Sequence, residues 1–276
     1  MDIDPLLLKS LLIMADIIEA RDPYTGGHVW RVSQFSKLLA VKAGLPHGEI
    51  IKTSIAAYLH DMGKVGIPDD ILNKPEALTD AEYAVIKTHP SIGGKLLEAH
   101  PLAGIVFEVA NQHHERMDGK GYPAGLRCEE ISLPARIVSI ADAFDAMTSV
   151  RPYRRGMSIA SALDALKNGA GSQFDMELVR HMCDLGLTGD LDHIVGHTAE
   201  GIPAVTCPQC GPVIAVPRST KDGDVIYCRA CHGQLKLRQS GDTFEAEMTG
   251  MTDNPHLLEP RANEDAVNDV LKSLAN

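Results

Sequence analysis

Apolar residues recur at helical spacing along most of the chain. Leu7, Leu8, Leu11, Leu12, Ala15 and Ile18 fall on one face of a 3.6-residue period. Val29, Val32, Phe35, Leu38 and Leu39 do the same, with Gly44 as a stop. Ile51, Ile55, Tyr58 and Leu59 mark a third helix that runs into His60-Asp61. Thr79, followed three residues later by Glu82, is a capping-box signature, and the helix it opens is expected to carry His89. Pro101 starts a helix that reaches His113-His114, Pro134 opens another through Ala135–Thr148, and Ser158 reads as the cap of the next. Alternating strand patterns are scarce up to about Leu187. Residues 1–190 are therefore expected to form one all-α domain.

After Leu187 the texture changes. Gly, Pro and Thr recur between Gly189 and Thr206, and residues 191–206 read as a linker. Residues 207–238 are rich in Val, Gly and Cys and read as β. Residues 239–276 read as a polar tail in which Val267, Val270, Leu271 and Leu274 allow one amphipathic helix over Ala266–Leu274. The expected fold class is mainly α, followed by a small β module.

Composition adds bounds. The 276 residues suffice for one ordinary domain plus a small module, and 44% hydrophobic content supports a packed core. Aromatic residues are only 4%, with Trp30 the single tryptophan, so that core is aliphatic. A formal net charge of −11 repels nucleic-acid phosphates, and an anionic substrate then needs a local cationic site. The apolar stretch Leu6–Ile18 is interrupted by Lys9, Ser10 and Asp16 and lacks a basic leader, unlike a secretory signal. No run approaches the roughly 18–20 apolar residues of a membrane span. A cytoplasmic protein is expected, in which six cysteines are metal ligands or thiols rather than disulfides.

Five clusters carry candidate chemistry: His28; His60-Asp61 with Gly63-Lys64; His89; His113-His114; and Asp142. Imidazole and carboxylate together suit first-row divalent metals. A carboxylate can bridge two ions, and two ions about 3.5–4 Å apart can clamp a phosphodiester. Each cluster alone says little, because a lone histidine in a helical protein is more often a surface or hydrogen-bonded residue. Cys207-Pro208-Gln209-Cys210 and Cys228-Arg229-Ala230-Cys231 form two C-x2-C pairs with seventeen residues between them, the spacing of a four-thiolate structural zinc site. A redox or disulfide set is the alternative, disfavoured in a cytoplasmic chain. Around these cysteines Arg218, Lys221, Arg229, Lys236 and Arg238 face Asp222 and Asp224, a mild positive excess. That makes a weak case for nucleic acid, and a protein contact or dimerisation role is favoured. His47, His100, His181, His193 and His197 match no motif, and Cys128 and Cys183 read as ordinary thiols.

The motifs in combination resemble a known family. Asp22-Pro23-Tyr24-Thr25-Gly26-Gly27-His28, His60-Asp61-Met62-Gly63-Lys64 and His89-Pro90-Ser91-Ile92-Gly93 stand in order. His113-His114-Glu115-Arg116-Met117-Asp118-Gly119-Lys120-Gly121-Tyr122-Pro123 follows. Ala135-Arg136-Ile137, Ala141-Asp142-Ala143-Phe144-Asp145-Ala146 and Arg151-Pro152-Tyr153-Arg154 complete the set. This resembles the HD-GYP branch of the HD phosphohydrolases, with a C-terminal module similar to a zinc ribbon. The resemblance implies a metal-dependent phosphodiesterase that hydrolyses cyclic di-GMP to linear pGpG and/or GMP through a metal-bridging hydroxide. It implies two divalent metals, with Fe or Mn favoured, and one Zn in the ribbon. Asp61 would bridge; His28, His60 and Asp142 would complete one metal site, and His89, His113 and His114 the other. Lys64 would neutralise substrate phosphate; Tyr122, Arg151 and Arg154 would contact substrate, as would Asp145 unless it is a helix ion-pair partner. Tyr24 stands where some members carry a third-metal glutamate, and a phenol is a poor ligand at neutral pH, so a two-metal site is expected. Other readings are a hydrolase of another ring such as cyclic GMP-AMP, and a signalling module acting through protein partners at the ribbon or the Gly-Tyr-Pro loop. A zinc-ribbon nucleic-acid protein is disfavoured by charge. A homodimer is the commonest assembly to expect.

Overall fold

The computed structural model describes residues 4–22, 25–74, 76–150 and 156–273. Among these residues ten α-helices come first: α1 (Pro5–Glu19), α2 (His28–Lys42), α3 (His47–Leu59), α4 (Asp69–Leu72), α5 (Asp80–Ile86), α6 (His89–Glu98), α7 (Ala103–Gln112), α8 (Leu133–Thr148), α9 (Ile159–Gly169) and α10 (Met176–Thr188). Their starts follow local chemistry. Asp4, Ser132, Ser158 and Asp175 each accept hydrogen bonds from first-turn N–H groups, and Thr79 with Glu82 forms the expected capping box. α2 runs through the middle, packed on α3, α8 and α10. Val29, Trp30, Val32, Phe35 and Leu39 of α2 are buried, and Phe35 meets Phe144 of α8 edge-on with ring centroids 5.1 Å apart.

One expectation needs correction. The helix opened by Thr79 ends at Ile86, and His89 begins a separate helix. Pro90 is the reason: it has no N–H to give the Ile86 carbonyl, and its ring would collide with that carbonyl in a continuous helix.

The C-terminal part is built from short antiparallel pieces. β1 (His197–Ala199) pairs with β2 (Ile202–Pro203), and β3 (Val205–Thr206) with β4 (Val213–Ile214). β5 (Val225–Tyr227), β6 (Gly233–Ser240) and β7 (Thr243–Met251) form a sheet in that order. The segment expected as a linker buries Leu191, Ile194, Ala199, Ile202 and Val205 in the same core as the helices. The expected polar tail contributes β7, which alternates exposed and half-buried positions along its length. It ends in α11 (Glu264–Ser273), which sets Ala266, Val267 and Val270 against α1, α2 and β1. Among the described residues no helix is long and apolar enough to cross a membrane.

Candidate metal centre

Helix ends bring the candidate residues together. His28 is the first residue of α2, His60 and Asp61 follow α3, His89 opens α6, and His113 and His114 follow α7; Asp142 lies in the interior of α8. The turn after Asp61 presses on the start of α6. A Cβ on Gly63 would lie 1.8 Å from the His89 carbonyl oxygen, and one on Gly93 would lie 3.2 Å from the Gly63 nitrogen. Only glycine at position 63 permits this approach, which brings His89 beside Asp61.

Asp61 sits in the middle, its two oxygens facing opposite ways. Oδ1 lies 3.3 Å from His89 Nε2 and 4.0 Å from His113 Nε2. Oδ2 lies 3.4 Å from His60 Nε2, 3.6 Å from His28 Nε2 and 2.6 Å from Lys64 Nζ. Asp142 Oδ1 is 3.6 Å from His28 Nε2. Among the described residues the ligand atoms form three overlapping groups, His28 with His60 and Asp142, His89 with His113 and His114, and His60 with Asp61 and His113, the last joining the first two.

The imidazoles are oriented from behind. His60 Nδ1 meets the Ala57 carbonyl at 2.6 Å, His89 Nδ1 that of Ile86 at 2.8 Å, and His113 Nδ1 those of Val109 and Ala110 at 3.0 and 3.1 Å. Carbonyls accept, so each Nδ1 carries the proton and each Nε2 presents a lone pair. The Nε2 atoms of His89 and His113 then face each other at 3.2 Å with no proton to share, and buried His60 Nε2 has no hydrogen-bond partner among the described residues. Converging lone pairs around a carboxylate repel unless a cation sits among them. These donors fit divalent metal ions.

Electrostatics point the same way. Burial, with neighbouring imidazoles, holds His113 well below the usual histidine range, and burial lowers His89 and takes His114 down to about 4. These three are neutral donors at pH 7. Burial also opposes charge on His28, but hydrogen bonds to Asp145 and Asp61 outweigh it and lift His28 to about 9. Burial opposes charge on Asp61 too, yet Lys64 and His60 hold it well below the carboxylate range.

Asp145, expected at the substrate or else as a helix ion-pair partner, is buried behind His28 and paired with Arg31. Its Oδ2 accepts from His28 Nδ1 at 2.8 Å, and both oxygens accept from the Arg31 guanidinium at 2.5 and 3.1 Å. Its carboxylate is consumed inside the protein. Arg31 and Glu19 were not singled out from sequence. Arg31 lies three residues after His28, hence on the same helix face, a spacing that flags it in hindsight. Glu19 Oε1 accepts from the backbone N–H groups of His28 and Val29 at 2.5 and 3.3 Å, with no local sequence signal to announce it.

Tyr122 lies beside the His89 group, its ring 4.8 Å from that of His114 and within 6.0 Å of Lys87 Nζ. Its loop is held by Glu115. That buried carboxylate accepts from the N–H groups of Ala124, Gly125 and Leu126 at 2.7, 3.0 and 3.0 Å. Arg151 and Arg154, expected at the substrate, lie outside the described residues, as does Tyr24.

The four ribbon cysteines converge. Sγ–Sγ distances are 3.6 Å for Cys207–Cys210, 3.5 Å for Cys210–Cys228 and 3.7 Å for Cys207–Cys231. These are not bonded sulfurs; they match the edges of a tetrahedron around an ion with metal–sulfur bonds of about 2.3 Å. The knuckles sit in the β3–β4 and β5–β6 connections, over a small cluster of buried Cys207, Cys228 and Leu235, while neighbouring Val205, Val216 and Leu237 join the core of the helices.

The HD domain family model matches residues 12–178. The chain is 41% identical over 203 residues to the cyclic di-GMP phosphodiesterase response regulator RpfG of Xanthomonas campestris, across 71% of this chain and 53% of that protein. It is 37% identical over 161 residues to the 3'3'-cGAMP-specific phosphodiesterase 3 of Vibrio cholerae, across 58% of this chain and 35% of that protein. Among solved structures it is similar to Bd1817, a HDG"Y"P protein from Bdellovibrio bacteriovorus, with a TM-score of 0.50 at 24% identity over 60% of this chain and 53% of that one. At that identity the likeness is one of fold. The chain spans about half or less of the length of these curated relatives.

Proposed function

The chain belongs to the HD domain family, and from that premise we propose that it is a metal-dependent phosphodiesterase acting on cyclic di-GMP. The observation that carries this reading is the ring of Nε2 lone pairs around the two-faced carboxylate of Asp61. In this reading two divalent ions, with Fe or Mn favoured, would share Asp61 as a ligand. His28, His60 and Asp142 would hold one, and His89, His113 and His114 would hold the other. Bound there, the ions supply Lewis acidity toward the phosphodiester and the attacking water. Lys64 keeps a positive charge beside Asp61 and balances the phosphate as it enters. Its ammonium is favoured: burial opposes the charge, but Asp61 and Asp22 more than compensate. Tyr122 lines the approach next to His114, and Arg151 and Arg154 are assigned to substrate phosphate or guanine. Asp145 orients His28 and makes no contact with substrate. The four cysteines hold one structural zinc, and residues 1–190 form the catalytic domain.

The relative named for cyclic di-GMP supports this substrate, and the one named for 3'3'-cGAMP makes the mixed ring the second reading. Chromatography of products decides between them. Protein prepared anaerobically with Fe(II) or Mn(II) is incubated with each ring separately. Linear pGpG or GMP is expected from cyclic di-GMP. Asp61→Ala is expected to lower turnover by at least about 100-fold while circular dichroism stays unchanged. Product from the mixed ring alone moves the substrate to that ring. No product from either, with both ions confirmed present, overturns the enzymatic reading and favours a module acting through protein partners.

A further inference from the structure

His28 differs from the other imidazoles in what stands behind it. His60, His89 and His113 lean on carbonyls of Ala57, Ile86, Val109 and Ala110, all within the helical domain. His28 leans on Asp145, and Asp145 is held by Arg31. Arg31 is buried, and each of its five N–H donors has an acceptor. Nε and one Nη2 hydrogen go to Asp145, at 2.5 and 3.1 Å, and the other Nη2 hydrogen to Ser149 Oγ at 3.2 Å. Nη1 donates to the Gly26 carbonyl and to the His197 carbonyl, both at 2.9 Å. His197 begins β1, in the C-terminal part of the chain.

The loop ahead of His28 is pressed on the same side. A Cβ on Gly27, whose φ is +75°, would lie 2.6 Å from Thr198 Cα. A Cβ on Gly26 would lie 2.5 Å from the carbonyl oxygen of Val213, three residues past Cys210 in the ribbon. Backbone thus meets backbone on two C-terminal strands, with no side chain between to yield.

We propose that Arg31 is a positioning residue that makes β1 and the adjoining ribbon knuckle the back wall of the His28 half of the metal centre. The inference rests on the two-metal reading above and adds an asymmetry to it. One half of the centre is braced by the helical domain alone. The other is completed by chain more than 160 residues away, through a guanidinium that spans Asp145, the Gly26 carbonyl and the His197 carbonyl at once. A lysine has one nitrogen and cannot span those acceptors. Groups that orient a ligating histidine in this way typically alter metal affinity by about 10–100-fold.

Metal binding tests this without relying on turnover. Full-length wild type, Arg31→Lys and Arg31→Met are titrated with Mn(II). Bound manganese and zinc are counted by mass spectrometry, and spin coupling is read by electron paramagnetic resonance. Wild type is expected to bind about two Mn(II) ions as a coupled pair. Both variants are expected to weaken one ion by about 10–100-fold, leaving the uncoupled signal of an isolated ion and an unchanged zinc content. Coupled pairs of wild-type affinity in both variants, or full rescue by Arg31→Lys, would overturn the proposal. If the Arg31 variants fail to fold, Gly26→Ala decides, because it disturbs the wall and leaves Arg31 in place. The same selective loss is expected, and wild-type binding counts against the wall. Wild type that takes up no manganese at the centre overturns the two-metal reading itself, a result separate from failure of the Arg31 comparison.

Discussion

Histidines at helix ends solve a problem that histidines in mid-helix cannot. The last carbonyls of a helix lack N–H partners from the next turn. His60 and His113 stand at such ends, so each Nδ1–H finds a last-turn carbonyl, that of Ala57 for His60 and those of Val109 and Ala110 for His113, without breaking the helix. His89 reaches the same arrangement by another route, since Pro90 strips the Ile86 carbonyl of its helical donor and leaves it for the imidazole. Glu115 shows the converse economy, one carboxylate accepting three backbone N–H groups of the loop after Tyr122. Glu115→Gln replaces one oxygen by a donor that opposes an N–H. It is expected to cost about 1–3 kcal/mol in urea denaturation. It should also raise KM more than it lowers kcat, because the loop carrying Tyr122 loosens. Unchanged stability would mean that the loop is held by its other contacts.

Between elements, the telling contact is a carboxyl. Asp16 of α1 accepts from Tyr58 of α3 at 2.6 Å and from the backbone of Asn263, just before α11, at 2.9 Å. It thereby fastens the first helix to the last. Burial raises Asp16 to about 7 despite those two donors. Its folded value lies above the unfolded 3.8, so its contribution to stability is complete below about pH 4 and is lost as pH rises toward 7. Asp16→Asn keeps a neutral group there at every pH. Between pH 4 and 7 the melting temperature of wild type is expected to fall relative to that of the variant, by on the order of 5 °C. Parallel melting curves would show that the two donors hold Asp16 near its unfolded value.

The molecule as a whole is held by one continuous core. Leu191, Ile194, Ile202, Val205, Val216 and Leu237 belong to the same buried cluster as Leu12, Phe35, Ile55 and Phe144. α11 closes it by placing Val267 and Val270 against α1 and β1. Val267→Asp puts a charge into that seam and is expected to cost about 3 kcal/mol or more. In zinc-loaded protein the helical and C-terminal parts should unfold in one calorimetric transition. Two transitions, with Val267→Asp moving only the weaker, would show that the parts fold independently.

Sequence alone determined what depends on local periodicity and on ligand spacing. Helical periods, caps and prolines announced the mainly α architecture, and two C-x2-C pairs announced the ribbon, because each signal acts within a few residues of chain. The His and Asp positions stood out for the same reason, as short motifs. β7 carries the period-two pattern of a strand, Phe244, Ala246 and Met248 between Thr243, Glu245, Glu247 and Thr249, and is passed over because so short and acidic a run resembles its polar surroundings. What lay beyond sequence depends on contacts between distant segments. The linker's burial followed from a core it shares with helices far earlier in the chain. For Asp145 the sequence left a substrate contact and a helix ion pair both open, because motif order says nothing of which way a side chain faces. Only the packed structure turned it toward His28 and Arg31, since a buried guanidinium with five donors must find acceptors wherever the fold supplies them.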